Sequence, residues 1–185
     1  MPSICEEPSL FPEDLLEGSS ARRPDRRWWV LYTKARQEKA VARDLLGRKL
    51  PFYLPLVKKT TVYRRSTLTS HIPLFSGYVF LYGSEAERVS SLKTNRLSRV
   101  ITVDDPDRLH QDLREIHRLI ASGEPLTVES RLVPGQRVRV RHGPLEGIEG
   151  SVLTRRGKTR LVVSVDFLHQ GASVEIDDFM LEPGA

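Results

Sequence analysis

Trp28-Trp29-Val30-Leu31-Tyr32-Thr33 is an unbroken run of aromatic and β-branched or aliphatic residues. Rings and branched side chains fit a pleated surface, so the run predicts a strand. One face carries Trp28, Val30 and Tyr32, and the other carries Trp29, Leu31 and Thr33. With both faces apolar, the strand is expected inside a sheet and covered on both sides. Gly77 to Tyr82 has the same character. Between the two, residues 36–49 place Val41, Leu45 and Leu46 on one helical stripe, with Arg36, Lys39, Arg43 and Lys49 largely off it. Pro51 stops that helix. Residues 52–74 alternate aromatic, β-branched and basic residues around Arg64-Arg65-Ser66, which predicts a long hairpin with a basic tip. Residues 85–94 predict a short helix and residues 100–103 a further strand. Asp105 as N-cap and Pro106 in the first turn open the last helix, Leu109, Leu113, Ile116 and Ile120 form its apolar face, and Gly123 ends it. This order predicts an α+β fold, an antiparallel sheet with helices packed on one face.

The remainder reads as all-β. Val138 and Val140 alternate with Arg137, Arg139 and Arg141, glycines punctuate at 143, 147 and 150, and residues 161–165 supply a second apolar run. About fifty residues of short strands predict a small barrel. The expected division is a flexible N-terminal extension at 1–26, an N-terminal domain at 27–122, a linker at 123–133 and a β-barrel at 134–185.

Charge is distributed unevenly. Residues 1–27 carry 4 Lys/Arg and 6 Asp/Glu, residues 28–124 carry 17 and 10, and residues 125–185 carry 8 and 8. The middle segment therefore holds the excess, which favours proximity to a polyanion, most simply nucleic acid. The lone Cys5 cannot form an internal disulfide, in keeping with a reducing, cytoplasmic setting. No apolar run approaches the roughly 20 residues of a membrane span, and the acidic, Pro-rich N-terminus does not read as a signal peptide.

Two motifs in order carry a family resemblance. The first is Trp28-Trp29-Val30-Leu31-Tyr32, a helix, and then Pro73-Leu74-Phe75-Ser76-Gly77-Tyr78-Val79-Phe80. The second is Pro134-Gly135-Gln136-Arg137-Val138-Arg139-Val140 followed by Gly143-Pro144-Leu145-Glu146-Gly147-Ile148-Glu149-Gly150. Together they resemble the NusG family, the first its N-terminal domain and the second its KOW motif, which implies an SH3-like KOW barrel over 134–185. Ser76 departs from the family, where proline is common before the glycine.

The resemblance implies a transcription elongation or antitermination factor without catalytic activity, cofactor or metal, cytoplasmic and monomeric. Its partner would be bacterial RNA polymerase, held through the clamp helices of the largest subunit. By the resemblance Trp28, Tyr32, Phe75, Tyr78 and Phe80 fall on the docking positions, though core packing explains such residues equally; Tyr32 and Tyr78, whose phenols tolerate a half-wet site, are the stronger candidates. Ser90 and Ser91 lie where relatives meet the gate loop of the second large subunit. Lys34, Lys39, Arg43 and Arg96 face the expected position of the non-template DNA strand, and Lys58, Lys59, Arg64 and Arg65 form a second candidate DNA or RNA contact. Gly143, Pro144, Leu145, Gly147 and Gly150 make up the KOW motif. Ile148 and Phe167 are candidates for recruiting Rho or a small-subunit ribosomal protein, against a simple role in barrel core. The acidic extension resembles specialised paralogues of the RfaH/UpxY/LoaP type. The glycines and prolines from 134 to 157 and the β-branched residues at 162–165 oppose a stable helix, so a constitutive barrel is expected.

Other classes fit less of the chain. The five histidines are scattered, with His110 and His117 seven apart, and no second cysteine offers a thiolate pair. There is no Walker loop and no G-x-S-x-G. Asp104, Asp105 and Asp107 suit a helix start through the helix dipole. A ribosome-associated RNA-binding KOW protein accounts for charge and barrel but leaves the Trp28 and Phe75–Phe80 strands unexplained.

Overall fold

Strand β2 (Arg27–Thr33) is buried on both faces, as its sequence requires. The computed structural model describes residues 7–17, 23–133 and 135–184. The chain folds as two compact units, residues 1–106 and 107–185.

In the first unit β2 lies between β6 (Tyr78–Gly83) and β7 (Leu97–Thr102) in a five-stranded antiparallel sheet. The order is completed by β3 (Phe52–Tyr53) beside β6 and β1 (Leu10–Phe11) at the edge. Trp29 and Leu31 pack with Val79 and Leu81 against Val41, Ala42 and Leu45 of α1 (Glu38–Gly47). Helix α1 is shorter at both ends than its apolar period suggests. Arg36 and Lys49 adopt positive φ, 59° and 57°, which takes the chain out of the right-handed helical region. Helix α2 (Glu85–Leu92) begins with a capping box: Ser84 Oγ accepts from the Glu87 N–H, and Glu87 accepts the Ser84 N–H at 2.7 Å. Among the described residues, strands β4 (Leu56–Tyr63) and β5 (Ser66–Pro73) pair only with each other, residue for residue from Leu56↔Pro73 to Tyr63↔Ser66.

The N-terminal extension expected to be flexible is docked over its described part. Leu10 and Phe11 pair with Tyr53 and Phe52. Leu54 N–H donates to Ser9 O at 2.7 Å, and Ser9 Oγ donates to Leu54 O at 2.9 Å. Leu15 and Leu16 are buried. Two apolar side chains and an otherwise unpaired edge of β3 give this segment a place to bind. Residues 1–6 and 18–22 lie outside the described residues.

The second unit contains nearly all of α3 (Pro106–Ala121), whereas the sequence division assigned that helix to the N-terminal domain. Its polar side explains the grouping. The Asp166 N–H donates to Asp112 Oδ2 at 3.0 Å, Arg108 pairs with Asp166 at 2.8 Å, and Arg118 donates to Glu146 O at 2.7 Å. The sheet is six-stranded and antiparallel: β13 (Leu181–Pro183), β9 (Arg137–Val140), β10 (Glu149–Arg155), β11 (Lys158–Val165), β12 (Gln170–Glu175), β8 (Thr127–Glu129). It is the small β-barrel-like unit expected, built around Val138, Val140, Ile148, Leu161, Val165 and Val174. Strand β8 lies inside the segment read as linker. Buried Glu129 secures it, accepting from Ser173 Oγ at 2.6 Å and from Arg155 at 3.1 Å.

Candidate functional site

At one end of β2 and β6 two rings remain half-buried. Tyr32 and Tyr78 are cross-strand partners with centroids 5.2 Å apart and planes at 49°. Tilted pairs of this kind contribute about 0.5–1.5 kcal/mol beyond area burial. Gly77 shapes the end of the strand. Its φ is +87°, and a Cβ there would lie 3.1 Å from Tyr32 Cε2, so glycine is required by both backbone and space. Its N–H donates to Glu38 Oε1 at 2.7 Å, and its carbonyl accepts from the Thr33 N–H at 2.8 Å. Glu38 is buried at 6% exposure. The register of β2 on β7 shifts between Tyr32 and Thr33, and the Arg99 guanidinium lies 5.3 Å from the Tyr32 ring. A register shift beside a surface ring re-aims it.

The other aromatic candidates are placed differently. Trp28, Phe75 and Phe80 are exposed by only 2, 1 and 0%. Phe75 meets Phe80 edge to face at 6.2 Å, and Trp28 contacts Tyr82 at 5.3 Å. With no ring face open, these three are core residues rather than a docking surface. Ser91 is corrected in the same way: it is fully buried, and its hydroxyl donates to Arg88 O at 2.6 Å. Ser90 stays half-buried.

The basic candidates divide into two groups. Beside α1, Arg43 pairs with Glu7 at 2.6 Å, and Arg96 pairs with Asp44 at 2.8 Å while donating to Gln37 at 2.7 Å. Lys34 is exposed and donates to Asn95 O at 2.7 Å, and Lys39 is half-buried. Acids thus offset part of the charge on this side. Lys58, Lys59, Arg64 and Arg65 are all exposed on the β4–β5 ribbon. Arg64 turns the ribbon at φ 55°, with its guanidinium 5.3 Å from the Tyr63 ring.

In the second unit Gly143 and Gly147 have φ of +95° and +80°, and a Cβ on Gly150 would lie 2.4 Å from the Val162 carbonyl oxygen. The motif glycines therefore serve the turn between β9 and β10 and the close approach of β10 to β11. Pro144 is exposed and Leu145 buried. Ile148 is barrel core at 1% exposure and has no surface for a partner, whereas Phe167 is half-buried in a short helical turn over Asp166–Leu168. Phe179, which sequence reasoning missed, is 65% exposed and stacks on His142 at 6.0 Å. Beside it Val140, Pro144, Leu145, Ile176 and Met180 line a cavity of about 310 Å³. Burial pushes the Asp112 carboxyl up to about 6, against the opposing pull of the Asp166 N–H and Arg108. Among the described residues no group of three or more His, Cys, Asp or Glu side chains is assembled to hold a metal. Among the same residues no helix is long and apolar enough to cross a membrane.

The family described as "Transcription termination factor nusG" matches residues 26–134, more than half of the chain. The chain belongs to the NusG family. Among solved structures it is similar to one described as "Domain interaction in Thermotoga maritima NusG", at 16% identity and a TM-score of 0.46, covering 86% of this chain and 98% of that one. No curated protein matches the chain. As a NusG-family protein it is a transcription elongation or termination factor, a class of proteins that work with RNA polymerase without catalysing a reaction. Glu38 and Arg99 are the parts of this candidate site that sequence reasoning missed, because only tertiary structure brings the Glu38 carboxylate to Gly77 and Arg99 to the Tyr32 ring.

Proposed function

We propose that the Tyr32–Tyr78 pair docks the protein on the clamp helices of the largest subunit of RNA polymerase. The observation that supports this reading most strongly is a half-exposed ring pair on a sheet end fixed by Glu38 and Gly77. Rings bury much area on docking with little rotamer freedom to lose, and a prefixed pair loses less still. Ser90 lies on α2 as a minor candidate for the gate loop of the second large subunit.

Lys34, Lys39 and Arg43 then approach the non-template strand through phosphate contacts, with Arg43 released from Glu7. Arg96 acts mainly by tying β7 to α1. The factor holds the clamp closed and suppresses pausing or termination, working in the cytoplasm as a monomer without cofactor. The C-terminal unit recruits Rho or a small-subunit ribosomal protein, with Phe167 as the candidate contact. Holding such a partner near the polymerase raises its effective concentration there. The docked acidic N-terminal segment supports a specialised paralogue.

Binding of the purified protein to core RNA polymerase tests this reading, with wild type beside Tyr78→Ala and near-native circular dichroism required of the variant. Wild type should be retained and the folded variant should bind at least about tenfold more weakly, the scale of a lost aromatic anchor. Equal binding of the two would refute the docking surface. Absence of wild-type binding, with retention on ribosomes instead, would favour a ribosome-associated RNA-binding role.

A further inference from the structure

From Leu45 to Ser84 the chain contains no acidic residue and six cations: Arg48, Lys49, Lys58, Lys59, Arg64 and Arg65. The middle of this stretch is the β4–β5 ribbon. Among the described residues, strands β4 and β5 hydrogen-bond to no other strand, and every residue from Lys58 to Thr69 is exposed. At eight residues per strand the ribbon extends about 26 Å, at roughly 3.3 Å per residue. Its far end carries Val62, Tyr63 and Leu68 at 73, 64 and 66% exposure. A ribbon needing only solubility would not place three large apolar side chains there.

The geometry points to the β4–β5 ribbon as a binding element for double-stranded DNA, inserted into the major groove. This rests on the nucleic-acid half of the function proposed above and is independent of the tyrosine docking surface. The major groove of B-DNA, about 12 Å wide, admits a two-stranded ribbon. Lys58 and Lys59 near the base and Arg64 and Arg65 at the turn reach phosphates on either wall. On one face of the ribbon Thr60, Thr67 and Thr69 offer hydroxyls to base edges, and Val62 on the same face suits the methyl group of thymine. A single strand is the poorer fit. Such ligands need a basic groove with several stacking rings, and this ribbon is narrow, exposed on both faces and carries only two exposed rings, Tyr63 near the turn and His71 near the base. Duplex RNA is poorer too, because its major groove is deep and narrow.

Fluorescence anisotropy with the full chain and DNA alone tests this. The probes are a 20-base-pair duplex, its single strands, the matching RNA duplex, and a DNA duplex whose cytosines are replaced by glucosylated 5-hydroxymethylcytosine, which fills the major groove. The plain DNA duplex should bind at least about tenfold tighter than the RNA duplex and the glucosylated duplex, and the single strands, which the α1 face can also hold, should lose less than the duplex in the variant that follows. The variant combining Lys59→Ala, Arg64→Gly and Arg65→Ala should weaken duplex binding at least about tenfold and reduce the salt slope by about 3, near 0.9 per lost phosphate contact. Glycine suits the positive φ at position 64, so the turn is preserved. Tyr78→Ala should leave duplex binding unchanged, which separates this result from failure of the polymerase reading. Single-strand or RNA binding that falls as far as duplex binding in the triple variant, indifference to the glucosylated groove, or an unaltered triple variant would each overturn the assignment.

Discussion

The buried carboxylate of Glu38, in the first turn of α1, accepts the backbone N–H of Gly77 at 2.7 Å. This bond ties the helix to the residue just before β6. It holds in place a glycine against which Tyr32 packs and beside which Tyr78 begins its strand. Glu38→Ala should lower stability by about 1–3 kcal/mol, the cost of leaving a buried donor unpaired. Glu38→Gln retains an acceptor and should recover most of that loss. Polymerase affinity should follow the same order, and denaturant unfolding beside a binding titration would show it.

Gly77→Ala probes the same point from the other side. At φ +87° an alanine is strained by roughly 1–2 kcal/mol, and its Cβ would press on the Tyr32 ring. Lower stability should come with altered Tyr32 and Tyr78 ring resonances in an NMR spectrum. Unchanged ring signals would show that the tyrosines do not depend on this turn.

Leu16→Ala tests the docked N-terminal segment. Leu16 is 1% exposed, and truncating a buried leucine costs about 2–5 kcal/mol. Glu7→Ala, which breaks a surface ion pair with Arg43, should cost no more than about 1 kcal/mol. A segment that merely rested on the surface would make the two variants equally mild in thermal unfolding.

Strand β2, the basic hairpin and the start of α3 were legible because each has a local cause: two apolar faces, alternating β-branched residues, and Asp105-Pro106. Strands β1 and β8 were not. Each has only two or three residues, too few to show a period, and each is held by distant partners, Phe52 with Tyr53 and Ala172 with Ser173. Tyr32 and Tyr78 stood out through their amphipathic rings, whereas for Trp28, Phe75 and Phe80 the sequence left core packing and docking as equal alternatives. A sheet buried on both faces and a docking surface use the same residues, and only packing separates them. Phe179 was missed because one phenylalanine between Asp178 and Met180 has no pattern around it.

Asp112 should make stability depend on pH. Burial pushes its carboxyl up to about 6 from the usual 3.8, so the folded state holds its proton more tightly. The group's contribution is therefore fully present below about pH 4 and is lost as pH rises through 6. The carboxyl ¹³C resonance of Asp112 should shift with a midpoint near 6, and Asp112→Asn should flatten the pH dependence of unfolding between 4 and 6. A midpoint near 4 would contradict the effect of burial.

The docking surface itself is tested most directly by placing the photoreactive residue p-benzoylphenylalanine at Tyr78 and irradiating the protein with intact RNA polymerase. The adduct should form with the largest subunit, and its mapped site should lie in the clamp helices. An adduct only with another subunit, or none while the protein remains bound to polymerase, would show that Tyr78 does not face the clamp and that the factor docks through a different surface.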